Sequence, residues 1–173
     1  DFVDVHLDVP GFFAWRIPRG EAGVEYGLAA APEADVGERF EDFLAGYDVS
    51  VTRRCSGAIP IGPPARVTGE RTLLIGDAAG QTKPFTGGGI LYGMTAADVA
   101  AEAIAPSDPA TLDAYERAWR DELARDVALG RLVRRGYDWP TPIQRLGLRL
   151  FSGPIGVHMD RPTSLFSREQ LQA

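Results

Sequence analysis

The stretch RTLLIGDAAGQTKPFTGGGILYGMTAADVAAEAI, residues Arg71 to Ile104, places a short apolar strand, one carboxylate and five glycines ahead of a helix. A strand ending in Gly76-Asp77 delivers its carboxylate to the carboxyl edge of a sheet, where open α/β layers bind their ligands. An ionised Asp offers only acceptors, so Asp77 suits a ligand rich in hydroxyl donors. Ala78, Ala79 and Gly80 carry almost no side chain and leave the backbone open to close approach, while Pro84 fixes the direction of the chain. Gly87-Gly88-Gly89 then opens the next helix with bare amide N–H groups, which favour negative charge. The pattern describes a site for a hydroxylated chain at one end and a delocalised anion at the other. The same kind of turn also occurs without any cofactor, with Asp77 then merely capping the glycines.

Upstream, Val3, Val5, Leu7 and Val9 alternate with Asp4, His6 and Asp8, the period-two pattern of a half-buried strand. After Pro10-Gly11, Phe13, Trp15 and Ile17 share one face of a second run, and Val24, Tyr26 and Leu28 alternate in a third. Together these runs predict an antiparallel meander. Glu33 to Gly46 reads as an amphipathic helix and Val49 to Cys55 as another strand. The Pro- and Gly-dense run from Cys55 to Pro64 reads as a crossing between layers. Arg71 to Ile75 predicts a short buried strand and residues 88–104 a helix. Thr111 to Arg135 predicts a long helix striped by Leu112, Tyr115, Trp119, Leu123 and Val127. Beyond Gly136 the chain is punctuated by Pro. There Ile143, Leu146, Leu150 and Phe151 share a helical face flanked by Gln144, Arg145 and Arg149, which suits either peripheral membrane contact or ordinary docking onto a core.

With 173 residues, 45% of them hydrophobic, the chain can build a sizeable core but hardly two complete domains. Its 18 basic and 24 acidic residues give a net charge of -6, which argues against a nucleic-acid surface. The charge is uneven, with 8 basic against 18 acidic residues up to Glu116 and 10 against 6 after it. The single cysteine, Cys55, excludes an internal disulfide and any Cys-rich metal site, and reads as a small buried apolar side chain. No metal is expected. No apolar run approaches the ~20 residues of a membrane span, and the acidic opening Asp1-Phe2-Val3-Asp4 lacks the basic start of a signal peptide. Without an initiator Met, and opening on a strand, the chain reads as a C-terminal fragment. It is expected to be cytoplasmic, with contact at the inner face of the membrane if the Ile143–Phe151 face serves that purpose.

The ordered run Gly76-Asp77-Ala78-Ala79-Gly80, then Pro84, then Gly87-Gly88-Gly89-Ile90 resembles the second flavin-binding motif of the p-hydroxybenzoate hydroxylase-like flavoproteins, and within them the geranylgeranyl reductase family. The resemblance implies that Asp77 holds the ribityl chain of FAD and that Gly87 to Gly89 lie against the pyrimidine edge of the isoalloxazine. Phe13-Ala14-Trp15-Arg16-Ile17-Pro18 is similar to the aromatic-x-Trp-x-aromatic-Pro segment of that family's substrate domain. Phe stands where Tyr is common and Ile where Phe is, and the likeness makes Phe13, Trp15, Ile17 and Pro18 substrate-binding candidates. The implied fold is α+β or α/β, the C-terminal part of such a flavoprotein. Its substrate-domain antiparallel sheet would lie in 1–64, the returning strand and helix of the FAD domain in 65–105, and a helical C-terminal region in 106–173.

The implied function is that of an FAD-dependent reductase saturating C=C bonds of geranylgeranyl chains, those of archaeal-type membrane-lipid precursors ahead of a pigment side chain. Its electron donor would be NADPH or ferredoxin. The family's N-terminal G-x-G-x-x-G does not occur in these residues, so on this reading the FAD site is half built and the fragment alone inactive. No catalytic side chain can be named. Two other readings stand beside it, an aromatic-ring flavin monooxygenase of the same superfamily and a non-catalytic lipid-binding module. On general grounds Trp15 also suits a core position, His6 and His158 read as solvated or structural, and Lys83, the only lysine, reads as a solvent-facing loop residue.

Overall fold

The computed structural model describes residues 2–105 and 107–150. The chain divides into two compact units, Asp1–Gly57 with Arg134–Gln144, and Ala58–Val133 with the residues from Arg145 on. The change of unit at Gly57 falls inside the Pro- and Gly-dense run, which forms neither helix nor strand.

In the first unit, β1 (Asp4–His6), β2 (Ala14–Pro18) and β3 (Val24–Leu28) form an antiparallel meander in that order. Val5 lies opposite Trp15 and Trp15 opposite Gly27, so one face carries Val5, Trp15, Ile17 and Gly27. The other face carries Asp4, His6, Ala14, Arg16 and Tyr26 and receives α1 (Val36–Ala45), whose Asp35 caps the Glu38 amide at 3.0 Å. Phe43 stacks edge-on against His6 at 5.1 Å, Tyr47 lies 4.9 Å from Tyr26, and the Tyr47 hydroxyl meets His6 Nε2 at 3.2 Å. Burial in this unit therefore runs opposite to the hydropathy of β1. Val5 is 53% exposed while His6 is half-buried, because the aromatic face of α1 covers the histidine side. His6 is structural, as one reading of it held.

Val49 to Cys55 forms no strand, because no described residue pairs with its backbone, and Cys55 is exposed rather than buried. The rest of the unit is an aromatic stack. Phe12 lies on Phe13 at 4.6 Å, Tyr137 stands 5.8 Å from Phe12, and the Arg134 guanidinium sits 4.6 Å over the Phe12 ring.

In the second unit α2 (Ile90–Ala103) packs with α3 (Thr111–Arg134) around Val67, Ala79, Tyr92, Ala100, Tyr115, Trp119, Leu123 and Val127. The α3 stripe is the one its sequence predicts, and Tyr115, Trp119 and Leu123 are fully buried. The polar shoulder of α3 grips the segment before the glycine run. The Glu116 carboxylate accepts from the Val67 amide at 2.9 Å and the Thr68 hydroxyl at 3.2 Å, and Arg120 donates to Glu116 at 2.8 Å and to the Ala65 carbonyl at 2.7 Å.

The strand expected at Arg71 to Ile75 is absent. Its backbone turns back on Val67–Gly69 instead, with Leu74 N–H to Val67 C=O at 2.8 Å and a single bridge between Thr68 and Leu73. One narrow hairpin satisfies two amides but builds no sheet, and Leu74 is left 37% exposed. The final element, α4 (Thr141–Leu150), leaves Ile143 49% and Leu146 57% exposed. Phe151 and His158 lie outside the described residues.

Candidate functional site

Gly76–Ala79 forms a single 3-10 turn closed by Gly80. Gly76 has φ +65 and Gly80 φ +63, left-handed values that side chains resist. A Cβ on Gly80 would lie 2.4 Å from the Gly62 carbonyl oxygen, so glycine is also needed there for close approach of the Pro-rich segment. The turn is held from below, since Gln81, fully buried, accepts the Gly76 amide at 2.7 Å and Thr82 donates to the Pro60 carbonyl at 2.5 Å.

The turn and the helix meet backbone to backbone. A Cβ on Gly93, one turn into α2, would lie 3.3 Å from Gly76 Cα. Between them, Lys83 to Gly88 closes a small ring, with Lys83 N–H to Gly88 C=O and Gly87 N–H to Lys83 C=O, both at 2.9 Å. Pro84 is buried and rests on α3, where a Cβ on Gly130 would come within 2.8 Å of its Cδ. No side chain caps α2 at Gly89, so the first amides of the helix point outward as donors.

Asp77 is exposed; its carbonyl accepts from the Gly80 amide at 2.9 Å, while its carboxylate accepts no hydrogen bond from a described residue. Its carboxylate rests on the helix start, where a Cβ on Gly89 would sit 2.4 Å from Asp77 Oδ1. The fold therefore brings Gly76, Asp77, Ala78, Ala79, Gly80, Pro84, Gly87, Gly88 and Gly89 into one locus of the second unit. Among the described residues that locus presents an unpartnered carboxylate beside the uncapped amides of Gly89 and the first turn of α2, on a surface almost free of side chains, while the Gly88 amide donates to the Thr86 hydroxyl at 3.3 Å. It can hold a ligand that pairs hydroxyl donors with a delocalised, partly anionic ring edge. FAD has those parts, and the missing Cβ atoms leave it room.

Lys83 is not the solvent-facing loop residue its position suggests. It is half-buried with Nζ 5.7 Å from the centroid of the buried Tyr92 ring. Burial pushes its ammonium below the ordinary lysine value while Asp126 on α3 pulls the other way. Asp126 is itself buried, with Oδ2 unpartnered among the described residues, and burial raises its carboxyl above the ordinary range.

In the first unit Phe13, Trp15 and Ile17 share the face of the sheet that α1 leaves uncovered, whereas Pro18 falls on the opposite face beside Val24. The Trp15 indole lies flat over Gly27, whose Cβ, were there one, would stand 2.1 Å from Trp15 Cε2. Trp15 Nε1 donates to Glu25 at 3.2 Å, and Glu25 is gripped by Arg19 at 2.6 and 3.1 Å. The ring is thus pinned as a flat apolar floor. Gly27, Glu25 and Gln81 escape a reading by sequence because each acts through a partner distant in the chain. Only Gly27, a glycine inside a strand pattern, carried a signal.

A family model described as lycopene cyclase protein matches residues 33–141, more than half of the chain. A digeranylgeranylglycerophospholipid reductase of Methanococcoides burtonii is 36% identical over 141 residues, a match covering 74% of this chain and 35% of that protein. One from Methanothrix thermoacetophila is 34% identical, over 69% of this chain and 34% of its own. The chain therefore spans about a third of the length of these curated relatives. The crystal structure of a geranylgeranyl bacteriochlorophyll reductase-like protein from Thermoplasma acidophilum superposes with a TM-score of 0.72 over 99% of this chain and 46% of that one. At 18% identity that likeness shows the shared α+β fold and no more.

Proposed function

Because the chain belongs to the lycopene cyclase family and has digeranylgeranylglycerophospholipid reductases among its relatives, we propose that it is part of an FAD-dependent reductase. The enzyme would saturate C=C bonds of geranylgeranyl chains in membrane-lipid precursors. The observation that carries this reading is the exposed, unpartnered Asp77 carboxylate resting on Gly89 at the uncapped start of α2. Asp77 would accept hydrogen bonds from the ribityl hydroxyls, and the backbone from Gly87 to Gly89 would face the pyrimidine edge of the flavin, with the amides of Gly89 and the first turn of α2 as its donors, since those of Gly87 and Gly88 already serve Lys83 and Thr86. Bound FAD, once reduced, would supply the hydride that carries both electrons to the double bond, a proton from solvent would complete the saturation, and NADPH or ferredoxin of the cell would reduce the flavin again. Residues of the longer protein would hold the ADP half.

The first unit would supply the apolar surface. Phe13, Trp15 and Ile17 would offer an isoprenoid chain a flat apolar strip, bordered by the exposed Arg19–Glu25 ion pair that pins the Trp15 ring. Pro18, on the other face, would shape the end of β2. On this reading 1–64 belong to the substrate domain, 65–105 to the returning segment of the FAD domain and 106–173 to the helical region. No described helix is long and apolar enough to cross a membrane. The exposed Ile143 and Leu146, with Arg145 beside them, would let a cytoplasmic enzyme touch the bilayer that holds its substrate.

The test is the absorbance spectrum of the full-length protein as purified, followed by mass analysis of a digeranylgeranylglycerophospholipid incubated with it and a reductant. Bound flavin and a product gaining hydrogen at its double bonds are expected. Flavin with a hydroxylated phenol as product would favour a monooxygenase, and lipid bound without flavin a non-catalytic module.

A further inference from the structure

Among the described residues the Asp77 carboxylate has no hydrogen bond to aim it, so its direction comes from its backbone, and Gln81 sets that backbone. The Gln81 side-chain oxygen accepts the Gly76 amide at 2.7 Å, and the Gln81 main-chain N–H donates to the Gly76 carbonyl at 3.0 Å. The second, a main-chain bond, holds the peptide that Gly76 shares with Asp77, and the first, from the side chain, holds the peptide before it, so together they set the Gly76 backbone on both sides. Gln81 is itself held, since its Nε2 donates to the Tyr115 hydroxyl at 3.1 Å, which in turn donates to the Leu74 carbonyl at 3.1 Å. Gln81 and Tyr115 are both fully buried. The polarity of the chain has one solution, because a flipped Gln81 amide would set a donor against the Gly76 N–H. A buried network satisfied in one arrangement holds one geometry.

We propose that the Gln81 side chain and Tyr115 are positioning residues for Asp77, fixing the Gly76 backbone from which Asp77 departs so that the carboxylate meets the flavin's ribityl hydroxyls. The inference rests on the flavin reading of Asp77. It makes α3, which has no place in the flavin motif, the part of the fold that aims the motif's carboxylate.

The experiment uses the full-length protein stripped of flavin. FAD affinity, by fluorescence titration, and melting temperature are measured together for Tyr115→Phe, Gln81→Met, Asp77→Ala and the two doubles with Asp77→Ala. Each single change in the network is expected to weaken FAD binding about tenfold, within the coupling range of one hydrogen-bond network. In the Asp77→Ala background the further loss should shrink below about twofold, because the residue being aimed is gone. Val127→Ala, a core change elsewhere on α3, should lower the melting temperature and leave FAD affinity alone. A lowered melting temperature with unchanged FAD affinity, or losses that add fully to that of Asp77→Ala, would overturn the proposal. Should Gln81→Met fail to fold, Tyr115→Phe, which keeps its ring in the core, decides. Wild-type protein that binds no FAD would remove the flavin reading and this inference together. Binding that depends on Asp77 but not on Gln81 or Tyr115 would remove the inference alone.

Discussion

Replacing Gly89 by Ala in the full-length protein should separate ligand binding from stability. Gly89 has φ -108, which alanine adopts without strain, so the whole effect comes from what the new methyl meets. Its nearest neighbours would be Asp77 Oδ1 at 2.4 Å and Thr82 Cγ2 at 3.3 Å. The carboxylate, at the free end of an exposed side chain, would swing away by about 1 Å to restore van der Waals contact. Folding should hardly notice, because losing glycine's freedom in the unfolded chain offsets a slightly poorer N-cap, each worth less than about 1 kcal/mol. A flavin hydroxyl would notice, because a charge-assisted hydrogen bond lengthened by about 1 Å leaves bonding range. The loss of about 1.5–3 kcal/mol amounts to roughly ten- to a hundredfold in FAD affinity. Calorimetric titration of flavin-free protein, with melting curves on the same sample, reads both quantities. Affinity within threefold of wild type would refute the placement of FAD against Asp77 and Gly89.

Asp77→Ala should lower FAD affinity about ten- to a hundredfold at an unchanged melting temperature; full flavin content with a lowered melting temperature would show Asp77 to be only a cap. Glu116 gives a pH test. Burial, its largest single influence, raises its pKa, but hydrogen bonds from Val67 and Arg120 outweigh burial and hold it below the ordinary carboxylate value. Its stabilisation is therefore complete above that ordinary value and lost as pH falls through the folded one. Glu116→Gln should cost about 1.5–3 kcal/mol at neutral pH, with the gap closing in acid, and a gap independent of pH in denaturant titrations would contradict this. Gly27→Ala must lift the Trp15 indole, costing about 1–3 kcal/mol of stability and reducing turnover of geranylgeranyl lipids; unchanged turnover would take Trp15 out of the substrate floor. Liposome flotation of the full-length protein should weaken when Arg145 and Arg149 are both changed to Glu, and unaffected flotation would remove the membrane contact.

The parts legible in the sequence are those whose signal is local. The α3 stripe from Leu112 to Val127 and the meander from Asp4 to Leu28 follow from period and punctuation. The glycine locus was legible because glycines mark where backbone must approach backbone, as Gly80 approaches Gly62 and Gly93 approaches Gly76. What failed depended on partners. Arg71 to Ile75 and Val49 to Cys55 have the apolar, β-branched look of strands, yet a strand exists only beside another, and none of the described residues provides one. In β1 the pattern named the apolar face as the buried one, but α1 brought Phe43 and Tyr47 to the histidine side, and packing outweighed hydropathy. Lys83 looked like a loop lysine until the fold set it over Tyr92.

The most direct test of the account is anaerobic. The full-length protein, reduced until its flavin absorbance is bleached and freed of excess reductant, is mixed with digeranylgeranylglycerophospholipid while the flavin band is followed. The account predicts that the lipid restores the oxidised-flavin band, with one double bond saturated for each flavin reoxidised. A flavin that stays bleached in the presence of the lipid, and recovers only when oxygen is admitted, would contradict it.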